Sequence, residues 1–259
     1  MVVSTNNDVL VVDMDSRTFT NSVSPGSDQF SSLTRDGSLL AVSEASGFGQ
    51  IQFYAGAPIF QEWVGQLTPG PGSGSIFRFA DNAGGIFAMD QGLATALYRG
   101  YPSGQILKLL DDGRRNQAAL DVAGYGTVFL SSDAGGGSVG LYALNNGIVT
   151  PIYYNAADDV GWFSASGDGS VLVYSVYGTG SPGLHIRRNG MDTLLNGVSI
   201  YDLDNLSSFD LSDDGKYMAF SIFGGSLRLL NIRGEQTQLL GVTAPAPVIS
   251  IDLPCNVAP

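Results

Sequence analysis

The sequence has few of the residue types on which metal centres, disulfides and hydrolytic triads depend. Its 259 residues include one histidine, His185, and one cysteine, Cys255. A structural zinc site needs several His or Cys ligands and an internal disulfide needs two cysteines, so both are excluded. His185 lies in a strand-like run, GLHIRR, and we interpret it as a structural residue rather than a general base. We interpret Cys255 as a linker residue, with pairing to a cysteine outside this segment as the alternative.

Basic residues are also scarce. Twelve Lys and Arg residues against 24 Asp and Glu residues give a net charge of −12, and only Lys108 and Lys216 are lysines. The resulting potential repels phosphate groups, so we expect neither nucleic acid nor an anionic membrane surface as a partner. No apolar run reaches the roughly 18 residues of a membrane-spanning helix, which predicts that the chain does not insert into a membrane.

What the sequence does contain is a repeated hairpin. Residues 209–221 (FDLSDDGKYMAFS) resemble two short strands joined by a tight turn, and copies lie at 163–175, 31–43, 77–89 and 120–131. The turn glycines are roughly 41 to 48 residues apart, at Gly37, Gly84 or Gly85, Gly126, Gly169 and Gly215. This period is typical of one four-stranded propeller blade per repeat, and helical periodicity is close to absent. The sequence therefore predicts an all-β fold.

The two ends of the chain complete the ring of blades. Residues 247–253 resemble the first strand of a repeat, whereas the first 23 residues resemble the other three strands. We predict a single-domain, six-bladed β-propeller over residues 1–259, in which the C-terminal strand pairs with the N-terminal three and protects the sheet edges. The predicted blades cover residues 1–23 with 247–253, and about 29–64, 74–110, 116–154, 160–196 and 206–241.

The hairpin motif also resembles a known family. SDDGKYMAFS is similar to the repeat of TolB-type, WD-repeat-like β-propellers, in which a Ser-x-Asp-Gly turn joins two strands and the second ends in a small residue, Phe and Ser. Three complete repeats carry the Asp-Gly turn, and two depart from it at residues 81–84 and 123–126. The resemblance covers nearly the whole chain and implies the fold. Such blades occur in periplasmic translocation proteins, peptidase gating domains and secreted proteins, so it implies no single activity.

Superposing the repeats places polar residues in one column of the innermost strands. The column, here called the channel ring, contains Ser32, Arg78, Asp121, Ser164, Asp210 and Asp252. Because innermost strands surround the central channel, we expect three carboxylates and one guanidinium to converge there. A charge among apolar neighbours must be paired, hydrated or bound to a metal. Two interpretations remain open: a water-filled channel in which Arg78 offsets part of the charge, or a Ca²⁺ or Na⁺ ion held by Asp121, Asp210 and Asp252.

A second candidate site consists of aromatic residues. They lie in or beside loops on the face that carries the blade-to-blade linkers, here called the linker face: Phe48, Trp162, Tyr177, Tyr201 and Phe223. An exposed ring gains nothing from contact with water, so these residues either cap neighbouring blades or form a platform for a peptide, a protein loop or a sugar. Acidic neighbours favour basic or neutral ligands, and these neighbours are Asp28, Asp158, Asp159, Asp202 and Asp204.

Two classes of function remain. The first is a non-catalytic binding or scaffolding domain, monomeric and without a cofactor, that belongs to a larger secreted, cell-surface or periplasmic protein. The start of the segment lacks a signal peptide, so the protein is either cytosolic or a domain of a longer secreted chain, and the low lysine content favours the second. The second is a hydrolase or lyase that uses Asp121, Asp210 and Asp252 as acid and base. Accessibility distinguishes them, because an enzyme needs these carboxylates at the floor of an open pocket.

Overall fold

The computed structural model describes most of the chain. The described residues are 1–5, 8–13, 16, 18–23, 29–34, 36–44, 50–57, 60–68, 73–81, 83–90, 95–111, 115–123, 126–133, 137–196, 198–203, 209–222, 224–232, 236–244 and 248–253. They form 24 strands in six four-stranded antiparallel sheets. Within these ranges, no helix has the length and apolar character needed to cross a membrane.

The strands follow one another at short intervals along the chain. The first eight are β1 (Val2–Thr5), β2 (Val9–Asp13), β3 (Thr18–Val23), β4 (Gln29–Leu33), β5 (Leu40–Glu44), β6 (Ile51–Ala55), β7 (Glu62–Leu67) and β8 (Ser73–Phe79). The next eight are β9 (Gly85–Asp90), β10 (Thr95–Gly100), β11 (Ile106–Leu110), β12 (Arg115–Ala123), β13 (Thr127–Asp133), β14 (Val139–Asn145), β15 (Ile148–Tyr153) and β16 (Asp158–Ala165). The last eight are β17 (Val171–Gly178), β18 (Gly183–Arg188), β19 (Met191–Leu194), β20 (Phe209–Leu211), β21 (Tyr217–Ile222), β22 (Ser226–Asn231), β23 (Gln236–Thr243) and β24 (Val248–Asp252).

These strands form the six blades of a closed propeller. Blade 1 has the order β24-β1-β2-β3, and blades 2 to 6 follow in chain order as β4–β7, β8–β11, β12–β15, β16–β19 and β20–β23. The innermost strands β24, β4, β8, β12, β16 and β20 contact one another in succession around the ring. β24 pairs with β1 antiparallel, with Ile251 opposite Val3. The predicted six-bladed fold and its closure by the C-terminal strand are therefore confirmed.

The Asp-Gly turns have one geometry in blades 2, 5 and 6. In blade 6, Ser212 Oγ donates to Asp214 Oδ1 at 2.8 Å and accepts the backbone N–H of Tyr217 at 3.0 Å. Gly215 donates its N–H to the Ser212 carbonyl at 2.8 Å and has a φ of +62°, which favours glycine. The same bonds recur around Thr34 in blade 2 and Ser166 in blade 5. This local chemistry holds the innermost strand and its neighbour in register.

The core lies between the faces of adjacent blades. Phe53 of blade 2 and Phe77 of blade 3 are fully buried and meet edge to face, with ring centroids 5.3 Å apart. Blades 5 and 6 share a cluster that includes Tyr174, Phe209 and Phe220. Apolar burial between neighbouring sheets is the main stabilising term for such a ring, and it fixes the innermost strands around the channel.

Candidate functional site

The residues of the channel ring converge at the centre of the propeller. Five of them line a single cavity of about 60 Å³, and the members are Ser32, Arg78, Asp121, Asp210 and Asp252. The sixth, Ser164, donates its hydroxyl to Asp210 Oδ1 at 2.6 Å. The cavity lining extends to Thr34 and Asp213, which lie at the hairpin-turn end of the innermost strands. The column that superposed repeats predicted is therefore one site in space, and its open side faces the hairpin turns.

Five members of the channel ring carry out one structural task. In each, a side-chain oxygen accepts the backbone N–H of the residue that follows the ring position in the next blade. The donor and acceptor pairs are Leu33 N to Asp252 Oδ2 (3.1 Å), Phe79 N to Ser32 Oγ (3.2 Å), Ala165 N to Asp121 Oδ2 (2.6 Å), Leu211 N to Ser164 Oγ (3.0 Å) and Leu253 N to Asp210 Oδ2 (2.7 Å). Because a buried backbone N–H requires an acceptor, these bonds, here called inter-blade bonds, explain why Asp and Ser occupy the ring.

Arg78 is the exception, because its side chain carries no acceptor. The N–H of Val122 in the next blade is instead satisfied by Asp121 Oδ1 at 2.8 Å. The Arg78 side chain extends across the channel, and its Nη1 donates to the Ser31 carbonyl at 2.9 Å and to Asp252 Oδ2 at 3.3 Å. The guanidinium thus connects blade 3 to blades 1 and 2.

The channel is closed above Arg78 by two aromatic rings. Phe30 of blade 2 and Trp162 of blade 5 stack with centroids 5.7 Å apart and planes 12° apart. These two blades lie on opposite sides of the ring, so the stacked pair spans the channel. The Arg78 guanidinium carbon lies 5.5 Å from the centre of the Trp162 ring, a distance typical of a cation–π contact. The pair separates the carboxylates from the linker face.

The three carboxylates of the ring bind protons more tightly than an ordinary aspartate. Burial raises the pKa of Asp252 to about 6, although Arg78 opposes the shift. Burial also raises the pKa of Asp210 well above its usual value, and repulsion from Asp252 adds to the effect. The pKa of Asp121 is raised by burial and held down in part by Arg78. Burial thus favours the neutral forms of three carboxyl groups that share a single guanidinium.

The structure gives no arrangement typical of a metal centre within its described ranges. No group of three or more His, Cys, Asp or Glu side chains there is placed to hold a metal ion. Both oxygens of Asp121 and both of Asp210 already accept hydrogen bonds. Calcium or sodium in the channel stays a prediction from sequence.

The aromatic set is spread over different environments. Phe48 and Phe223 lie outside the described residues. Trp162 is only 4% exposed and lies in the channel rather than on the surface. Tyr201, in the linker between β19 and β20, is 70% exposed, and Tyr177 at the end of β17 is half-buried. Burial raises the pKa of Tyr177 and the charge on Tyr201 raises it further, so the two phenols are close enough to interact electrostatically.

Their acidic surroundings also differ from residue to residue. Asp28 and Asp204 lie outside the described residues. Asp158 is buried and accepts hydrogen bonds from Tyr153 and Asn155, whereas Asp159 and Asp202 are exposed. Two exposed carboxylates thus remain among the described acidic neighbours of the aromatic set.

Two further sequence features have structural explanations. His185 is buried, with Nε2 2.8 Å from the Ser181 carbonyl and its ring stacked on Tyr174 at 5.3 Å. The sequence also contains a Gly-x-Ser-x-Gly pattern, at residues 136–140. Its Ser138 donates to the Ala156 carbonyl at 3.0 Å and leads into strand β14. A nucleophile elbow instead leads from a strand into a helix, so the pattern is structural.

Comparisons with solved structures agree on the fold. No protein-family model and no curated protein sequence matches the chain. TolB from Acinetobacter baumannii is 16% identical with a TM-score of 0.72, over 91% of this chain and 61% of that one. A chain of the nidogen/laminin complex is 11% identical with a TM-score of 0.68, over 92% and 90%. Oligogalacturonate lyase in complex with manganese is 15% identical with a TM-score of 0.58, over 90% and 70%. At the level of fold, the chain resembles TolB-type and WD-repeat-like β-propellers.

Proposed function

We propose that this propeller is a non-catalytic binding domain whose partner contacts the linker face around Tyr177 and Tyr201. The observation that carries the proposal is the structural role of the channel ring. Its Asp and Ser side chains hold neighbouring blades together through the inter-blade bonds. The remaining cavity of about 60 Å³ is well below the roughly 300–1,000 Å³ of small-molecule sites. The polar side chains of the channel thus stabilise the fold, and we assign ligand recognition to the surface.

Tyr201 is the best-placed described residue for such recognition. Its ring is 70% exposed, and Tyr177 is close enough to interact with it electrostatically. Tyrosine supplies a large contact area at low entropic cost and is enriched among residues that dominate binding energy. The exposed carboxylates of Asp159 and Asp202 favour a basic or neutral ligand. A protein, a peptide or a carbohydrate fits this chemistry, and the nidogen/laminin complex offers a propeller likeness within a protein assembly.

The cellular setting is part of the same proposal. We place the domain in a larger secreted, cell-surface or periplasmic protein, as a monomeric unit without a cofactor. Support comes from its two lysines, its 35 glycines and its likeness to TolB.

An enzyme is the second candidate, and one observation favours it. The raised pKa values of Asp210 and Asp252 are typical of carboxyl groups that donate protons in catalysis. A lyase and a gluconolactonase are among the proteins with similar folds. Against it, the carboxylate oxygens accept backbone N–H groups in a cavity too small for a sugar ring.

Arrays of oligosaccharides and of basic, neutral and acidic peptides test the two candidates. The wild-type domain is compared with Tyr201→Ala and with Ile148→Ala, a control at a similarly exposed position. We expect a ligand that binds the wild type and the control and that loses tenfold or more in affinity for Tyr201→Ala. Ligands that bind all three proteins equally contradict the proposal. Turnover of oligosaccharides or lactones that is lost in folded Asp210→Asn supports the enzyme instead.

A further inference from the structure

A second pocket lies between blades 4 and 5, at the end of the propeller that carries the hairpin turns. Its volume is about 220 Å³. Phe129, Ile152 and Leu172 form an apolar wall, and Ser170, Arg187 and Asn189 form a polar one. The pocket is separate from the channel ring and lies on the face opposite Tyr201, so it is independent of the function proposed above.

The turn between the third and fourth strands of blade 5, which lines the pocket, is short. Asn189 and Gly190, both with positive φ, make that turn in two residues. The corresponding turn of blade 3 spans residues 101–105 and packs against the outer strand of blade 2. A Cβ placed on Gly65 of that strand would lie 2.6 Å from the Pro102 carbonyl oxygen. The longer turn of blade 3 thus packs on blade 2, whereas the short turn of blade 5 borders the pocket.

The polar wall is held in place before any ligand arrives. Arg187 Nη1 donates to Asp192 Oδ2 at 2.6 Å and to the Ile152 carbonyl at 3.2 Å. Its charge is therefore offset, and the guanidinium is fixed at the edge of the pocket. A cavity of about 150 Å³ with apolar walls is known to bind benzene. The larger pocket here has room for a side chain the size of leucine or phenylalanine.

One carboxylate next to the pocket lining has no cationic partner among the described residues. Asp168 precedes the lining residue Gly169, and its Oδ1 accepts the N–H of Ser170 at 2.9 Å and the hydroxyl of Ser166 at 2.8 Å. Hydrogen bonds from Ser170 and Ser166 lower the pKa of Asp168, which keeps it ionised. Within the described ranges, Asp168 forms no ion pair with Lys or Arg. The rim thus attracts positive charge.

We propose that this pocket binds a peptide segment in which a leucine or phenylalanine is flanked by lysine or arginine. The apolar side chain enters between Phe129, Ile152 and Leu172, and an adjacent basic side chain pairs with Asp168. Apolar burial provides most of the affinity, and the ion pair at the rim provides selectivity for basic over acidic segments.

Capped tripeptides titrated into the ¹⁵N-labelled domain test this site by NMR. The probes are acetylated and amidated Lys-Phe-Lys, Glu-Phe-Glu and Lys-Gly-Lys. We expect Lys-Phe-Lys to shift the amide signals of Gly169, Ser170 and Gly190 with saturation, and Glu-Phe-Glu to bind several-fold more weakly. Lys-Gly-Lys should give no saturable shift, because it lacks the apolar side chain. Equal shifts with all three probes contradict the proposal.

Matched variants in blade 2 control for effects on the turn itself. Ser170→Trp fills the pocket and should weaken Lys-Phe-Lys binding at least tenfold, whereas Ser38→Trp, at the same turn position in blade 2, should leave it unchanged. Asp168→Asn should weaken binding about two- to fivefold, the scale of one surface ion pair, and Asp36→Asn should have no effect. Binding that Ser170→Trp leaves intact, or that both Asn variants weaken equally, overturns the assignment.

Discussion

The backbone N–H of Leu253 donates a 2.7 Å hydrogen bond to Oδ2 of Asp210, and this bond joins the closing strand of blade 1 to blade 6. Asp252 makes the corresponding bond to Leu33 on the other side, so β24 is held by both of its neighbours. The channel ring therefore closes the propeller as well as lining its channel.

Asp210→Ala should lower the free energy of unfolding by about 2–4 kcal/mol. The change removes the acceptor of the Leu253 N–H and of the Ser164 hydroxyl, and each unsatisfied buried donor costs about 1–3 kcal/mol. Chemical denaturation measures the difference. Asp202→Ala, an exposed aspartate, should stay within about 0.5 kcal/mol of the wild type. Equal stability of the two variants contradicts a role for Asp210 in ring closure.

Arg78→Met should destabilise the domain at neutral pH by about 2–4 kcal/mol. The methionine keeps much of the packing on Trp162 but leaves the Ser31 carbonyl and Asp252 without their buried partner. Lowering the pH towards 5 should restore part of the loss, because protonation of Asp252 removes an unpaired charge.

Thermal unfolding at pH 7 and pH 5 measures this effect. Arg99→Met is the control, since Arg99 forms a partly exposed ion pair with Asp81, which is worth at most about 1 kcal/mol. If Arg78→Met is no more harmful than this control, the channel charge is compensated by another group.

Gly215→Ala should be more destabilising than Gly37→Ala, although both glycines hold the same position in an Asp-Gly turn. Both have positive φ, of +62° and +68°, and a non-glycine residue there costs about 1–2 kcal/mol. A Cβ at position 37 meets nothing within 4 Å, whereas at 215 it lies 2.8 Å from Val171 Cγ2. Denaturant unfolding of both variants gives the difference directly, and equal losses exclude a contribution from the Val171 contact.

The ring positions could be read from the sequence because the repeats share one strand register. Counting back from each turn glycine placed Asp121, Asp210 and Asp252 in one column, and all three line the same cavity. The inter-blade bonds were not predicted. These bonds depend on how closely the innermost strands of neighbouring blades approach one another. The hydrophobic alternation within one hairpin carries no information about that distance.

The position of Trp162 could have been inferred more accurately. It lies two residues before Ser164, so strand alternation points both side chains to the same side, into the channel. Phe30 has the same relation to Ser32, and the two aromatic rings meet across the axis. Closeness to a linker alone does not distinguish a side chain in the channel from one on the linker face. The direction of the Arg78 side chain could not be inferred in this way. A long, flexible side chain is oriented by its hydrogen-bond and ion-pair partners, and not by the alternation of its own strand.

The domain should be most stable in mildly acidic solution. Burial raises the pKa of Asp252 from its ordinary value of 3.8 to about 6, so the folded state binds this proton more tightly than the unfolded state. The resulting stabilisation is fully present below pH 4 and is lost as the pH rises through about 6. Asp210, whose pKa is also raised, acts in the same direction. The free energy of unfolding should therefore increase by about 1–3 kcal/mol when the pH is lowered from 7 to 5.

Carboxylates in the hairpin turns cause the loss of stability at the acid end of the pH profile. Hydrogen bonds from Ser38 and Ser170 lower the pKa values of Asp36 and Asp168, so their contribution to stability is lost as the pH falls below about 4. Denaturation midpoints between pH 3 and pH 8 should therefore pass through a maximum near pH 4 to 5. Asp252→Asn removes a titrating group from the channel and should flatten the rise between pH 7 and pH 5, whereas Asp202→Asn should preserve it. A wild-type stability that increases steadily from pH 5 to pH 7 is incompatible with raised pKa values of Asp210 and Asp252.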